Sequence, residues 1–143
     1  MYKTYSIENT FLGRFKKDED LLQALIDFLE KNNIRSGIIS GIGALQKAVL
    51  GYYNQKEFKY QSIEINKPVE VVSLSGNISL KEGHPFPHCH IVVSDENGDV
   101  KGGHLLKGCS IFAFEFSIVS LDGAALVRGF DEETKLPLWK FLD

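Results

Sequence analysis

Residues 88–106 read HCHIVVSDENGDVKGGHLL, and this stretch predicts an antiparallel β-hairpin. Apolar and β-branched residues on both sides of a segment rich in Asp, Asn and Gly are typical of two paired strands joined by a turn. We assign the strands to His88–Ser94 and Val100–Leu106, with residues 95–99 between them. Such a hairpin belongs to an antiparallel sheet, because parallel strands need a long crossover connection.

Three histidines of this hairpin are candidates for a common site. His88 and His90 are two residues apart, so their side chains project from the same face of a strand, and the side chain of Cys89 projects from the other. The return strand brings His104 back beside them. The expected site therefore consists of His88, His90 and His104.

The length of the loop decides whether the third histidine shares their face. A three- or five-residue loop centred on Asn97 places His90 directly opposite His104, with both side chains on one face. A two-residue turn at Asn97–Gly98 sends His104 to the other face instead. A shared site therefore requires an odd loop, or a bulge near Gly102–Gly103 that restores the phase; these two glycines otherwise suit a close backbone approach.

Three neutral imidazoles are ligands that Zn²⁺ accepts with one position open, and other divalent transition metals accept them as well. The expected cofactor is Zn²⁺ or another divalent transition metal, with a possible small-molecule ligand at the open position. The alternative is that the histidines are ordinary strand residues that bond to water or backbone. The fourth histidine, His84, precedes Pro85 and Pro87, which interrupt a regular strand, so we expect a loop residue there.

One helix is predicted over Asp18–Asn33. Its apolar residues recur at the spacing of one helical face, with acidic residues at the positive end and Asn32–Asn33 as a stop. Most of the remaining chain has the pattern of strands. The predicted strands are Tyr2–Ile7, Phe11–Phe15, Ser36–Ile42, Leu45–Asn54, Phe58–Ile65, Val69–Leu80, His88–Ser94, Val100–Leu106, Ser110–Ser120 and Ala124–Arg128.

This pattern predicts an α+β fold in which one main helix packs on a large, mainly antiparallel or mixed sheet. The absence of repeats, low-complexity tracts and linkers indicates a single domain over residues 1–143. In Ser110–Ser120, one face carries Phe112, Phe114, Phe116 and Ile118, and we expect it in the core. The other face is apolar enough to suggest cover by a second subunit, hence a homo-oligomer.

Composition excludes several classes of protein. Sixteen basic and nineteen acidic residues give a formal net charge of -3, so no overall positive field favours nucleic acid or anionic lipid. The sequence lacks an apolar stretch long enough to span a membrane and a signal-peptide pattern, and we expect a cytoplasmic protein. Its two cysteines, Cys89 and Cys109, are expected to be reduced.

Other candidate features are weaker. Gly41-Ile42-Gly43 lacks the third glycine and the following helix of a dinucleotide-binding loop, so a turn is expected. Glu115 could orient a metal-bound imidazole or form a salt bridge. Arg128 could pair with such a carboxylate or bind an anionic ligand. No nucleophile has a recognisable partner for covalent catalysis.

The sequence resembles the prokaryotic form of the PPC domain, the plant and prokaryote conserved domain. The matching elements are Ser40–Leu45, Leu74–Asn77, Pro87–His90, Gly102–Leu105 with Gly108, Glu115 and Arg128. The resemblance implies an α+β fold, a homotrimer and a metal held by His88, His90 and His104. Plant members carry AT-hooks that bind DNA, and prokaryotic members are often described as DNA-binding; this sequence has no Arg-Gly-Arg-Pro AT-hook.

Three functions remain open at this point. The favoured one is a metal-binding oligomeric domain with an unassigned ligand. The second is a DNA-associated regulator, which the resemblance implies and the charge does not support. The third is a zinc-dependent enzyme in which the ion generates hydroxide at neutral pH. The sequence alone does not assign a substrate.

Overall fold

The structure is a computed structural model that describes residues 2–140. Within that range the chain forms nine strands and one helix, an arrangement that fits the α+β class although the helix is a small part of it. The elements are β1 (Ser6–Phe15), α1 (Leu21–Lys31), β2 (Gly37–Asn54), β3 (Lys59–Ile65), β4 (Val69–Lys81), β5 (His84–Ser94), β6 (Val100–Leu105), β7 (Ser110–Asp122), β8 (Val127–Phe130) and β9 (Pro137–Lys140).

Strand β2 organises the sheet because it is long enough to pair with four others. Strands β6 and β7 follow one another along one of its edges, and β3 and β4 along the other. Strand β5 pairs with both β4 and β6, which closes this part of the sheet on itself. Every pairing is antiparallel except that of β4 with β8, so the prediction of a mainly antiparallel sheet is confirmed.

Helix α1 covers the inner side of the sheet. Asp20 caps its first turn by accepting a hydrogen bond from the backbone N–H of Gln23 at 3.0 Å. At the other end Asn33 has a φ of 52°, the left-handed conformation expected of a helix stop. The buried leucines Leu21, Leu25 and Leu29 join the core, and each contributes about 1.5–3 kcal/mol by leaving water.

The predicted core face of β7 needs a correction at one residue. Phe114, Phe116 and Ile118 are buried as expected, but Phe112 is 57% exposed. The register with β2 shifts between Ala113 and Ile111, so Phe112 is an extra residue in β7. A bulge of this kind inverts the faces beyond it. Ile111 therefore takes the core position that the strict alternation assigned to Phe112.

Three predicted breaks in strands are wrong. Gly41-Ile42-Gly43 forms no turn, because the segment lies within β2, where the register with β4 shifts between Gly41 and Gly43. A Cβ atom at Gly43 would clash with the carbonyl oxygen of Ala113, so glycine there permits close pairing with β7. The two predicted N-terminal strands are one strand, β1, with a shift between Ile7 and Asn9. Strand β5 begins at His84, so the prolines after it do not interrupt the sheet.

The C-terminal segment forms a pair of strands, β8 and β9, that the sequence pattern did not fully predict. The predicted strand Ala124–Arg128 is displaced to β8, which pairs with β4 through Leu80 and Val127. A further strand, β9, pairs with β8 and forms a hairpin beside the site described below. Within residues 2–140, helix α1 is too short and too polar to cross a membrane.

Candidate metal centre

The β5–β6 hairpin brings three histidines onto one face of the sheet. His90 lies directly opposite His104 in the register, and His88 projects from the same side two residues earlier. The ring centroids are separated by 5.1 Å for His88 and His104, 5.3 Å for His88 and His90, and 5.6 Å for His90 and His104. Cys89 is buried on the opposite face, as predicted.

The five-residue loop between these strands produces that register. The backbone N–H of Asp95 donates to the carbonyl oxygen of Asp99 at 3.0 Å. The Asp95 carboxylate accepts from the backbone N–H groups of Asn97 and Asp99 at 2.9 and 3.0 Å, and Gly98 adopts a φ of 81°. The prediction of an odd loop centred on Asn97 is therefore confirmed.

Glycines at 102 and 103 do not form a bulge in the pairing of β5 with β6. The register between β5 and β6 runs without a shift from Val100 to His104. A side chain at Gly103 would instead lie 2.7 Å from the carbonyl oxygen of Gly51 on β2. Gly103 therefore serves the other role considered from the sequence, a close approach of neighbouring backbone. The absence of a side chain there lets β6 fit between β5 and β2.

The donor atoms of the three imidazoles fit a metal ion. One nitrogen from each ring lies within 4.8 Å of the other two. Tetrahedral coordination at about 2.1 Å needs nitrogens roughly 3.4 Å apart, a separation that small side-chain rotations reach. The Nδ1 atom of His104 is buried and has no hydrogen-bond partner among residues 2–140. An unsatisfied buried nitrogen costs free energy, which binding of an ion would recover if this atom is the ligand.

Two of the imidazoles are held in the neutral form. Burial, the positive charge of Arg128 and the neighbouring histidines lower the pKa of His88 to about 4. Burial, His90 and Arg128 likewise lower the pKa of His104 to about 4. Both rings therefore keep a lone pair at neutral pH, when free histidine is partly protonated. Metal binding at that pH would not have to compete with a proton at either residue.

Arg128 lies close to this cluster although it comes from the C-terminal hairpin. Its guanidinium donates to Ser79 Oγ at 2.8 Å, to Asn77 Oδ1 at 2.9 Å and to the carbonyl oxygen of Pro137 at 3.0 Å. Asn77 is the direct cross-strand partner of His88. Strand β4 thus connects the arginine to the histidines, a connection for which the sequence carries no local signal.

A cavity of about 420 Å³ lies between the histidines and the β8–β9 hairpin. It includes His88 and His104, and Tyr60 packs against the ring of His104 with centroids 5.2 Å apart. The other lining residues are Tyr53, Phe58, Lys59, Lys81, Phe86, Arg128, Lys135, Leu136, Pro137 and Leu138. Neither Tyr60 nor Phe86 belongs to a sequence motif that marks it as a candidate site residue.

The remaining candidate residues lie elsewhere. His84 is 78% exposed at the start of β5, in a strand and not in the predicted loop, and its Nδ1 is 3.6 Å from a carboxylate oxygen of Glu30. Glu115 is exposed on β7 opposite Arg14 and lines a different cavity. Within residues 2–140 Glu115 bonds to no histidine and forms no salt bridge, so neither suggested role is borne out.

Comparisons with known proteins point to one protein family. A family model described as the Plants and Prokaryotes Conserved (PCC) domain matches residues 2–122, which include the three histidines. The chain is also 31% identical over 100 residues to the bifunctional protein GlmU of Synechococcus sp. (strain JA-3-3Ab). That match covers 69% of this chain but 15% of GlmU, so the chain corresponds to a small part of that protein.

Three solved structures share the fold over almost the whole chain. A metal-containing protein from Archaeoglobus fulgidus is 39% identical, with a TM-score of 0.94 and 99% of both chains covered. A PPC protein from Pyrococcus horikoshii is 34% identical, with a TM-score of 0.93, covering 100% of this chain and 99% of its own. A proposed DNA-binding protein from Bacteroides thetaiotaomicron is 27% identical, with a TM-score of 0.85, covering 97% and 99%.

Proposed function

This chain belongs to the Plants and Prokaryotes Conserved domain family, and from that premise we propose that it binds one divalent transition-metal ion, Zn²⁺ by preference, through His88, His90 and His104. The observation that carries the proposal is the set of three imidazole nitrogens within 4.8 Å on one sheet face. The metal-containing relative from Archaeoglobus supports it by its similarity to this chain. Zn²⁺ tolerates three histidine ligands with one open position.

The residues that line the cavity beside the histidines favour a ligand-binding role over hydrolysis. A bound Zn²⁺ can supply Lewis-acid chemistry and lower the pKa of a bound water. A carboxylate is a common proton acceptor for such a water, and within residues 2–140 the cavity lining includes no Asp or Glu. Glu115, the acceptor considered from the sequence, lines a different cavity. A zinc enzyme is therefore the second candidate.

Metal analysis tests this function directly. The protein, prepared without a metal-affinity tag, is expected to contain about one transition-metal equivalent per chain. Removal of the ion with a chelator should lower the midpoint of thermal unfolding, and added Zn²⁺ should restore it, because an ion that binds only the folded state stabilises it. Absence of metal, both as prepared and after incubation with Zn²⁺, would refute the proposal.

We also propose that the chain assembles as a homotrimer through the outer face of the sheet. Leu12 on β1 and Ile38 and Ile42 on β2 are 81%, 53% and 56% exposed. Apolar residues clustered on one sheet face favour cover by protein. Sedimentation velocity at micromolar concentration should give a mass three times that of the chain. A monomer under these conditions would contradict the assembly but not the metal site.

We further propose a single domain, a cytoplasmic location and no direct role in DNA binding. A single domain over residues 1–143 is supported by the one core that helix and strands share. A cytoplasmic location is supported by Cys89 and Cys109, which are buried and unlinked. DNA binding, the role proposed for the Bacteroides neighbour, is disfavoured by the formal charge of -3. A salt-dependent mobility shift with duplex DNA would favour that alternative.

A further inference from the structure

Within residues 2–140, no acidic side chain pairs with the charge of Arg128. The side chain is half-buried, and its three hydrogen bonds within residues 2–140 all go to neutral acceptors. A guanidinium has five N–H donors, so two of them have no protein acceptor in this part of the chain. A partly buried charge without a counter-ion is costly, and its remaining donors are suited to an anion.

The arginine is held rigidly in that position. Its guanidinium carbon lies 5.3 Å from the ring centre of Phe86 and 5.5 Å from that of Trp139, so it is in contact with two aromatic rings. The hydrogen bonds to Ser79 and Asn77 fix the same group from strand β4. A pre-organised cation loses little conformational entropy when it binds an anion.

The charges around the cavity are of one sign. In the part of the chain that the structure describes, the lining includes three lysines besides Arg128 and no carboxylate. Lys59 and Lys135 are paired with Glu57 and Glu132 at the surface, at 2.7 and 2.9 Å. Lys81 has no carboxylate partner within residues 2–140 and lies over Phe86, 5.5 Å from its ring centre. The cavity therefore presents the uncompensated charges of Arg128 and Lys81.

Much of the remaining cavity wall is apolar. Phe58, Phe86, Leu136, Pro137 and Leu138 contribute to it, together with the ring of Tyr60. A volume of about 420 Å³ is in the range of pockets for small organic molecules. An apolar wall beside a fixed cation fits an organic anion better than a small hydrated one.

We propose that this cavity binds a small organic carboxylate, whose two oxygens accept hydrogen bonds from the free N–H groups of Arg128 beside the three histidines. The proposal deepens the metal-binding function and depends on it only for a second contact, since an ion held by the histidines offers an open position to the same ligand. The guanidinium can hold a carboxylate through two parallel hydrogen bonds. The apolar wall beside it supports an organic carboxylate over inorganic phosphate.

Calorimetric titration with benzoate tests the proposal on the Zn²⁺-loaded protein. Benzamide, which has the same shape without the charge, is expected to bind at least about tenfold more weakly. Arg128→Gln should weaken benzoate binding by about ten- to a hundredfold, because charge-assisted hydrogen bonds are lost. Arg35→Gln makes the same change at an exposed residue away from the cavity and should leave the affinity unaltered.

Separate outcomes distinguish this proposal from metal binding. Equal affinity for benzoate and benzamide in the parent protein overturns it without reference to the folding of any variant. Tighter binding of inorganic phosphate than of benzoate overturns the choice of a carboxylate. Benzoate binding that depends on Arg128 in a protein that takes up no metal supports the cavity and refutes only the metal site. Loss of benzoate binding in Arg128→Gln with full metal content supports both.

Discussion

Replacement of His90 by alanine is expected to remove nearly all bound metal and to leave the fold intact. His90 is exposed, so the loss of its side chain removes little packing. Loss of a residue that only orients a metal ligand costs about 10–100-fold in affinity, and loss of a ligand should cost at least about a hundredfold. Elemental analysis of the variant should find only a trace of the metal of the parent.

Two kinds of variant sharpen this experiment. His84→Ala is the matched control, because it removes a histidine of the same strand that lies outside the cluster. It should retain the full metal content. His88→Ala and His104→Ala should lose metal as His90→Ala does, although both residues are half-buried and their loss also removes packing. Retention of metal by all three variants would show that the site has been assigned incorrectly.

Substitution of Gly103 by alanine is expected to destabilise the sheet beside the site. The added carbon would lie 2.7 Å from the carbonyl oxygen of Gly51, a backbone atom that cannot move without shifting β2. Overpacking of this kind costs about 1–3 kcal/mol of unfolding free energy. Because His104 follows directly in β6, separation of β6 from β2 should also weaken metal binding.

The neighbouring glycine provides the control for that substitution. At Gly102 an added carbon would have its nearest contact at 3.3 Å, with the carbonyl oxygen of Ile91, which requires only a small adjustment. Urea denaturation should show a loss of less than about 1 kcal/mol for Gly102→Ala, since alanine also restricts the unfolded chain. Equal stability of the two variants would mean that Gly103 is not needed for the contact between β6 and β2.

The histidine cluster and the glycines of the sheet were predictable from the sequence to different degrees. The histidine cluster could be predicted because it depends on two local rules, the alternation of side chains along a strand and the phase set by a hairpin loop. The five-residue loop at 95–99 satisfied both. Helix α1 was predictable for a similar reason, since its apolar spacing and its asparagine stop lie within one short segment.

The errors arose where a residue responds to a strand distant in sequence. Phe112 leaves the core because β7 carries one more residue than β2 at that point, which no pattern within β7 reveals. At Gly43 the sequence predicts a turn, and at Gly103 it leaves a bulge or a close backbone approach open, because glycine permits each of these. Their role is to let another backbone approach closely, at Ala113 and at Gly51.

The sequence by itself determined the class of fold, the main helix and the three histidines that share a face, because each depends on contacts between residues close along the chain. Only the tertiary structure decided the surroundings of that site. Arg128 reaches Asn77 and Ser79, about fifty residues earlier, through the parallel pairing of β8 with β4. Such long-range pairing depends on the packing of the whole sheet, so an uncompensated arginine beside the histidines becomes visible only in three dimensions.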